Sequence, residues 1–263
     1  MHVLPLLLFS AAPAIEMYRL PSGEAVSTRL SESYLAQQGT PAAVQAGVLS
    51  RAEARGLPEA MAAAYEELAV ERGSFPTPVL RDQSAAAFDL VVIAPEKDSS
   101  PDRAAIFLHG YGGAWTLECW LFARRAGVLT VCPSTGVEGR WSTSEGEKIL
   151  AATQAWLAKK SRTRLVLAGL SNGGAGACQL ARAHEKDFTA AIAISGVAPP
   201  GPRKLPMLVL HGRRDTMASF ENARAFANAQ PERTLFAADA NHLLLLHQRD
   251  ELGEKIAAFI AAH

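Results

Sequence analysis

Short apolar runs, set apart by turn residues, dominate the chain from residue 87 onward. Residues 87–94 (Ala-Phe-Asp-Leu-Val-Val-Ile-Ala) give the first strong strand pattern. Residues 104–108, 128–132, 165–168, 190–194, 207–210 and 233–236 repeat it. Between them lie stretches of helical spacing at 115–125, 144–159, 173–184, 220–229 and 249–262. In the second of these, Ile149, Leu150, Ala152, Thr153 and Trp156 fall on one side, toward a core. Strands alternating with helices predict an α/β fold, doubly wound around a mostly parallel sheet covered on both faces. Functional groups are then expected just past the C-terminal ends of the strands.

Residues 15–75 read differently. Alanine, glutamate and arginine dominate and β-branched runs are absent, which predicts an N-terminal helical extension. Residues 31–38, 41–55 and 58–72 each look helical, with Pro41 and Pro58 at first-turn positions and Gly39 and Gly56 at ends. Leu57, Met61, Tyr65 and Leu68 form an apolar stripe at helical spacing. Packing against the main domain is the reading preferred for the stripe; a cap bordering a site is the sharper one. Residues 75–78 read as a linker, so the domain expected to carry the chemistry spans 76–263.

Residues 3–9 are apolar and Ala12-Pro13-Ala14 resembles a cleavage site, which makes residues 1–14 a signal peptide and the protein exported, periplasmic or secreted. Pro5 within the run and His2 in place of a lysine or arginine count against that reading, whose alternative is a plain apolar N-terminus in a cytoplasmic protein; export is the reading preferred. No other stretch approaches the length of a membrane span. The 26 basic residues balance the 26 acidic ones, so no basic field argues for nucleic acid. The chain has 263 residues, 49% of them apolar, enough for a sizeable core. Cys119, Cys132 and Cys178 match no zinc spacing and are read as small buried hydrophobes; one disulfide would leave one thiol over. Oligomeric state is left open.

The chemistry gathers after four strands. His109-Gly110-Tyr111-Gly112-Gly113 follows the strand at 104–108. Gly169-Leu170-Ser171-Asn172-Gly173 follows four apolar residues and runs into a small-residue helix: strand, sharp turn, helix, with serine at the apex. Asp215 lies five residues past Leu210, and His242 lies in the loop after the strand at 233–236. Alone, Gly-x-Ser-x-Gly is a common turn. In this context it reads as a nucleophile elbow.

Together these motifs resemble the α/β-hydrolase superfamily over about residues 86–263. Its order is serine, acid, histidine, with a His-Gly-rich loop after an earlier strand. The compact core, with only 195–206 available for a lid, resembles esterases, dienelactone-hydrolase-like and polyhydroxyalkanoate-depolymerase-like proteins. The resemblance implies Ser171 as nucleophile, His242 as base and Asp215 as acid, with an oxyanion hole from the backbone N–H groups of Asn172 and the Tyr111 region. The expected partner is a small-molecule or acyl-ester substrate, cleaved without cofactor or metal. Peptides and thioesters would use the same three residues, and a non-catalytic binding protein is the alternative of another class.

The residue chemistry stands beside that resemblance. A serine hydroxyl needs a base within reach. Imidazole near neutrality can take and return the proton, and a carboxylate on its other nitrogen fixes the tautomer. His247 competes with His242, and Asp239 with Asp215; loop position favours His242 and Asp215. His109 and His211 read as structural hydrogen-bonding groups. A metal shared by His109, His211, His242 and Asp215 has no ligand spacing to support it. Gly110–Gly113 lacks both the P-loop ending and the dinucleotide spacing. Trp115, Trp141, Met217 and Leu243 are candidates for an apolar substrate pocket, and Arg140, Arg213 and Arg214 for a carboxylate contact.

Overall fold

The computed structural model describes residues 14–26, 31–47, 49–69, 77–98, 100–199, 201 and 204–263. The signal-peptide reading, except for its last residue, lies outside them, as does half of the linker at 75–78. The N-terminal part holds β1 (Ile15–Leu20), β2 (Glu24–Ala25), α1 (Glu32–Gln45), α2 (Arg51–Ala54) and α3 (Leu57–Ala69). Next come β3 (Phe88–Ile93), β4 (Arg103–Leu108), α4 (Thr116–Ala126), β5 (Leu129–Pro133) and α5 (Ser144–Ala158). Then follow β6 (Arg164–Leu170), α6 (Asn172–Ala183), β7 (Ala190–Ile194) and β8 (Met207–Gly212). The chain closes with α7 (Phe220–Asn228), β9 (Arg233–Ala238), α8 (Leu244–His247) and α9 (Arg249–Ala262).

The described strands form one sheet in the order β2-β1-β3-β5-β4-β6-β7-β8-β9. From β5 to β9 every neighbouring pair is parallel. β3 pairs antiparallel with both β1 and β5. The predicted mostly parallel, doubly wound α/β architecture is therefore observed. Side chains of β4 alternate between two cores: Ala105 and Phe107 on one face, Ala104, Ile106 and Leu108 on the other. The first face is covered by α4, α8, α9 and the N-terminal helices, the second by α5, α6 and α7. Because the sheet is buried on both sides, its strands read as continuous apolar runs.

Three expectations for the N-terminal region and the cysteines are corrected. The region expected to be helical begins with strand β1, whose six backbone partners run from Ile15↔Ile93 to Leu20↔Phe88. Pro41 is not in a first turn but lies inside α1, which runs through Gly39 as well. Cys119 and Cys132 are not free buried thiols: they are joined in a disulfide between α4 and β5, with Cα atoms 6.2 Å apart. Cys178 keeps the expected role, a buried thiol that burial pushes up to about 11. The disulfide closes a short loop, with 13 residues of sequence separation. Loop-closure entropy predicts a loss of about 3 kcal/mol on reduction. Urea unfolding with and without dithiothreitol measures it, and coincident curves would contradict it.

The N-terminal helices sit on the main domain through two buried carboxylates. α4 has no side-chain cap of its own. Instead Glu32, fully buried, accepts the Thr116 and Leu117 N–H groups at 2.8 and 3.0 Å and also bonds the Thr77 hydroxyl. A carboxylate suits this place, where the first N–H groups of a helix lack partners and the dipole is positive. Glu53 makes the second attachment, described below.

Candidate active site

Parallel strands bring the four predicted loops to one edge of the sheet. β6 delivers Ser171 at φ 56°, ψ −118°, a sharp turn from strand into α6. Only a crowded small-residue environment permits it. A Cβ on Gly173 would lie 2.0 Å from the Leu108 carbonyl oxygen, and one on Gly196 2.1 Å from that of Ser171. The Ser171 N–H donates to Ile194 O at 2.8 Å, which ties the elbow to β7.

Serine, histidine and aspartate form one hydrogen-bonded chain. His242 Nε2 is 2.9 Å from Ser171 Oγ, and His242 Nδ1 is 2.8 Å from Asp215 Oδ2. The Asp215 carboxylate is shielded from solvent. Its Oδ1 accepts the Met217 and Ala218 N–H groups, each at 2.8 Å. Burial alone would raise this carboxyl. Hydrogen bonds with His211 and His242, the His242 charge and the Ala218 N–H outweigh burial and hold it well below the usual carboxylate range. Asp215 is therefore an anion across the neutral range, able to fix the Nδ1–H tautomer of His242.

The oxyanion expectation narrows to one loop residue. The Gly112 and Gly113 N–H groups both donate to Val137 O, at 2.7 and 3.2 Å. Gly112 is thus engaged by the fold, while Tyr111 lines the cleft at Ser171, and Asn172 starts α6. The Asn172 side chain donates to Glu138 O at 2.7 Å, so the loop at 133–143 braces both the start of α6 and the Gly112–Gly113 turn.

Two clefts meet at Ser171, Tyr111, Met217 and His242. One has a volume of about 500 Å³ and is apolar, running beneath the N-terminal helices past Leu49, Leu57, Met61, Trp115, Leu243 and Leu246. The other, about 550 Å³, is more polar, with Asn172, Ser195, His211, Ser219 and Asn222 in its wall. Of the predicted pocket residues, Trp115, Met217 and Leu243 line the apolar cleft. Trp141 does not. It is buried, with its Nε1–H donating to His109 O at 2.9 Å and its ring against Gly176, so it supports the His109–Gly113 loop from below. The stripe on α3 does both things foreseen: Leu57, Tyr65 and Leu68 are buried, and Leu57, Met61 and Tyr65 border the cleft.

The competing residues lie elsewhere. Asp239 is exposed and pairs with Arg214 at 3.0 Å. His247 ends α8. His109 is held between Gly110 O and the Thr135 N–H, and burial lowers it to about 4, which keeps it neutral. His211 Nε2 lies 3.3 Å from Asp215 Oδ2, behind the carboxylate. Arg213 stacks on Phe220 and the exposed Arg140 pairs with Glu138, so neither points to a carboxylate substrate. Among the described residues, no group of three or more His, Cys, Asp or Glu is arranged to hold a metal, and no helix is long and apolar enough to cross a membrane.

Two acids of the site region were not foreseen. Glu53, buried, accepts from Thr216 and His242; nothing in its sequence context marks it. Glu118 borders the apolar cleft, and burial, helped by the Glu32 charge, pushes it up to about 8. Burial likewise raises Glu32 to about 7, against the bonds from Thr77, Thr116, Leu117 and Tyr65. A folded-state value above the unfolded 4.5 means the folded chain holds the proton longer, so stability falls as pH rises from about 5 to about 8. Glu118→Gln is expected to lose less stability than wild type across that window in urea titrations. Parallel curves would refute the assignment.

Comparison with known proteins agrees with this fold. No family model and no curated sequence matches the chain. Among solved structures, the Pyrococcus furiosus esterase Pf2001 is similar at TM-score 0.52 and 19% identity, over 67% of this chain and 87% of that one. Est1E from Butyrivibrio proteoclasticus is similar at 0.57 and 16%, over 67% and 94%. The fluorophosphonate-binding serine hydrolase FphF of Staphylococcus aureus is similar at 0.54 and 14%, over 66% and 92%. The architecture is that of the α/β-hydrolases.

Proposed function

We propose that this protein, folded as an α/β-hydrolase, is a serine hydrolase that cleaves carboxylic esters through an acyl-enzyme. The observation that carries the reading is the continuous chain from Asp215 through His242 to Ser171, opening on an apolar cleft of about 500 Å³.

Ser171 Oγ attacks the ester carbonyl carbon while its proton passes to His242 Nε2. The carbonyl oxygen becomes an oxyanion, held by the N–H groups of Tyr111 and Asn172; such a donor is worth about 3 kcal/mol. Asp215 stabilises the imidazolium. Collapse expels the alcohol, which takes the proton from His242 and leaves an ester on Ser171. Water then repeats the cycle: His242 accepts its proton, the acid departs, and Ser171 regains its hydrogen.

The apolar cleft supports an ester with a sizeable hydrocarbon part, and the polar cleft supports a hydrophilic group on the other side of the scissile bond. Peptide and thioester cleavage would use the same residues; the apolar cleft favours esters over peptides. A binding protein without catalysis is disfavoured by the complete hydrogen-bonded chain. Turnover of p-nitrophenyl esters of graded acyl length by wild type and Ser171→Ala tests the reading. Turnover that rises with acyl length until the cleft is filled, and is absent in the variant, is the expected result. Equal rates in the two proteins would overturn it. Export through residues 1–14 is part of the proposal, and the Cys119–Cys132 disulfide supports it because such bonds persist in oxidising compartments. N-terminal sequencing of the mature protein checks it; an intact Met1 would remove the claim.

A further inference from the structure

We infer that Glu53, on the short helix of the N-terminal cap, is a positioning residue for His242 and for the Asp215 loop, so that the cap is part of the hydrolytic machinery. The inference rests on the hydrolase reading above.

Glu53 is fully buried. Its Oε1 accepts the Thr216 N–H at 3.0 Å and the Thr216 hydroxyl at 2.9 Å. Its Oε2 accepts the His242 N–H at 2.9 Å. One carboxylate thus bridges the residue after the acid to the base itself, from 163 and 189 residues away in sequence.

The loop around His242 needs such a bridge. It crosses from β9 to α8 outside the sheet, with the Arg214 N–H donating to Ala240 O at 2.9 Å as a backbone tie two residues before His242. His242 is buried, so its N–H would have no water to bond in place of Glu53. On the other side Ser195 Oγ donates to the His242 carbonyl at 2.6 Å. The His242 backbone is therefore gripped at both its N–H and its C=O, leaving the ring to span Ser171 and Asp215. The Ser50 hydroxyl, at the start of the same helix, lies 3.0 Å from Thr216 Oγ1 and reinforces the grip. Displacement of a reacting group by about 1 Å can cost about 100-fold in rate. A cap that only covered the substrate would need no contact with the backbone of the base.

Glutamine at this position has a single acceptor oxygen, which can serve Thr216 or His242 but not both. The test compares Glu53→Gln, Thr216→Val and wild type by ester kcat and KM and by the rate of fluorophosphonate labelling. Labelling reports the Ser171–His242 pair without an acyl chain in the apolar cleft. Glu53→Gln is expected to lower kcat and the labelling rate by the same factor, about 10- to 100-fold, with KM little changed. Thr216→Val, which removes one of the three donors, is expected to lower both by a smaller factor, and it carries the test if Glu53→Gln does not fold. A raised KM with kcat and labelling intact would make Glu53 a prop for the cap and overturn the inference, as would no change in either variant. Failure of the wild type to turn over esters or take the label would instead count against the hydrolase reading.

Discussion

Ser171→Gly is expected to abolish ester turnover, by about 10⁴-fold or more, and yet to be more stable than Ser171→Ala by about 1 kcal/mol. The loss of activity follows from the role proposed for Ser171: among the described residues, its hydroxyl is the one hydrogen-bonded to His242 Nε2, at 2.9 Å. The stability order follows from the backbone. Ser171 sits at φ 56°, ψ −118°, where a side chain costs about 1–3 kcal/mol. Alanine keeps that strain and glycine relieves it. Glycine also loses about 1 kcal/mol through the greater freedom of the unfolded chain, so a net difference of about 1 kcal/mol remains. Urea unfolding of the two variants measures it. An alanine variant more stable than the glycine one by about 1 kcal/mol would mean the elbow is not held under strain.

Gly173→Ala is expected to be among the most damaging glycine-to-alanine changes at the described positions, destabilising by more than about 3 kcal/mol. The added Cβ would meet Leu108 O at 2.0 Å and His109 O at 2.6 Å. Both are main-chain atoms at the end of β4, so no side chain can swing aside. Either α6 lifts off the sheet, which carries Ser171 and Asn172 away from His242 and Tyr111, or the oxyanion loop shifts. Both outcomes remove activity as well as stability. Gly136→Ala is the control: its Cβ would meet nothing within 4 Å, and a change within about 0.5 kcal/mol is expected. Thermal unfolding and ester turnover of both variants decide the matter. A stable, active Gly173→Ala protein would contradict the packing of the elbow.

Much of this was legible in the residues, for physical reasons. Parallel strands buried on both faces leave continuous apolar runs, so β7 (Ala190–Ile194) and α9 (Arg249–Ala262) agree to the residue with the pattern, and the other elements expected from residue 87 onward agree within two residues; the short α8 was not expected. The same topology puts all strand-end loops on one edge, which is why Ser171, Asp215 and His242 could be placed together before any coordinates. β1 was not legible because it is a short strand near the sheet edge, with Glu16, Tyr18 and Arg19 only partly covered or exposed. Pro41 was misleading because proline is at home in a first turn, yet a helix can carry one where its missing N–H is tolerated. Trp141 was misleading because loop position says nothing of which way a ring points; here it turns inward to His109 O. Glu53 and the Cys119–Cys132 pair depend on contacts between distant or separately folded elements, which no local spacing encodes.

The central claim is that Ser171 is a nucleophile activated by His242. Mass spectrometry of the intact and digested protein after fluorophosphonate treatment tests it most directly. The account predicts a single adduct, located on Ser171 and lost in His242→Ala. No adduct on the folded wild type, or an adduct on another residue, would contradict it.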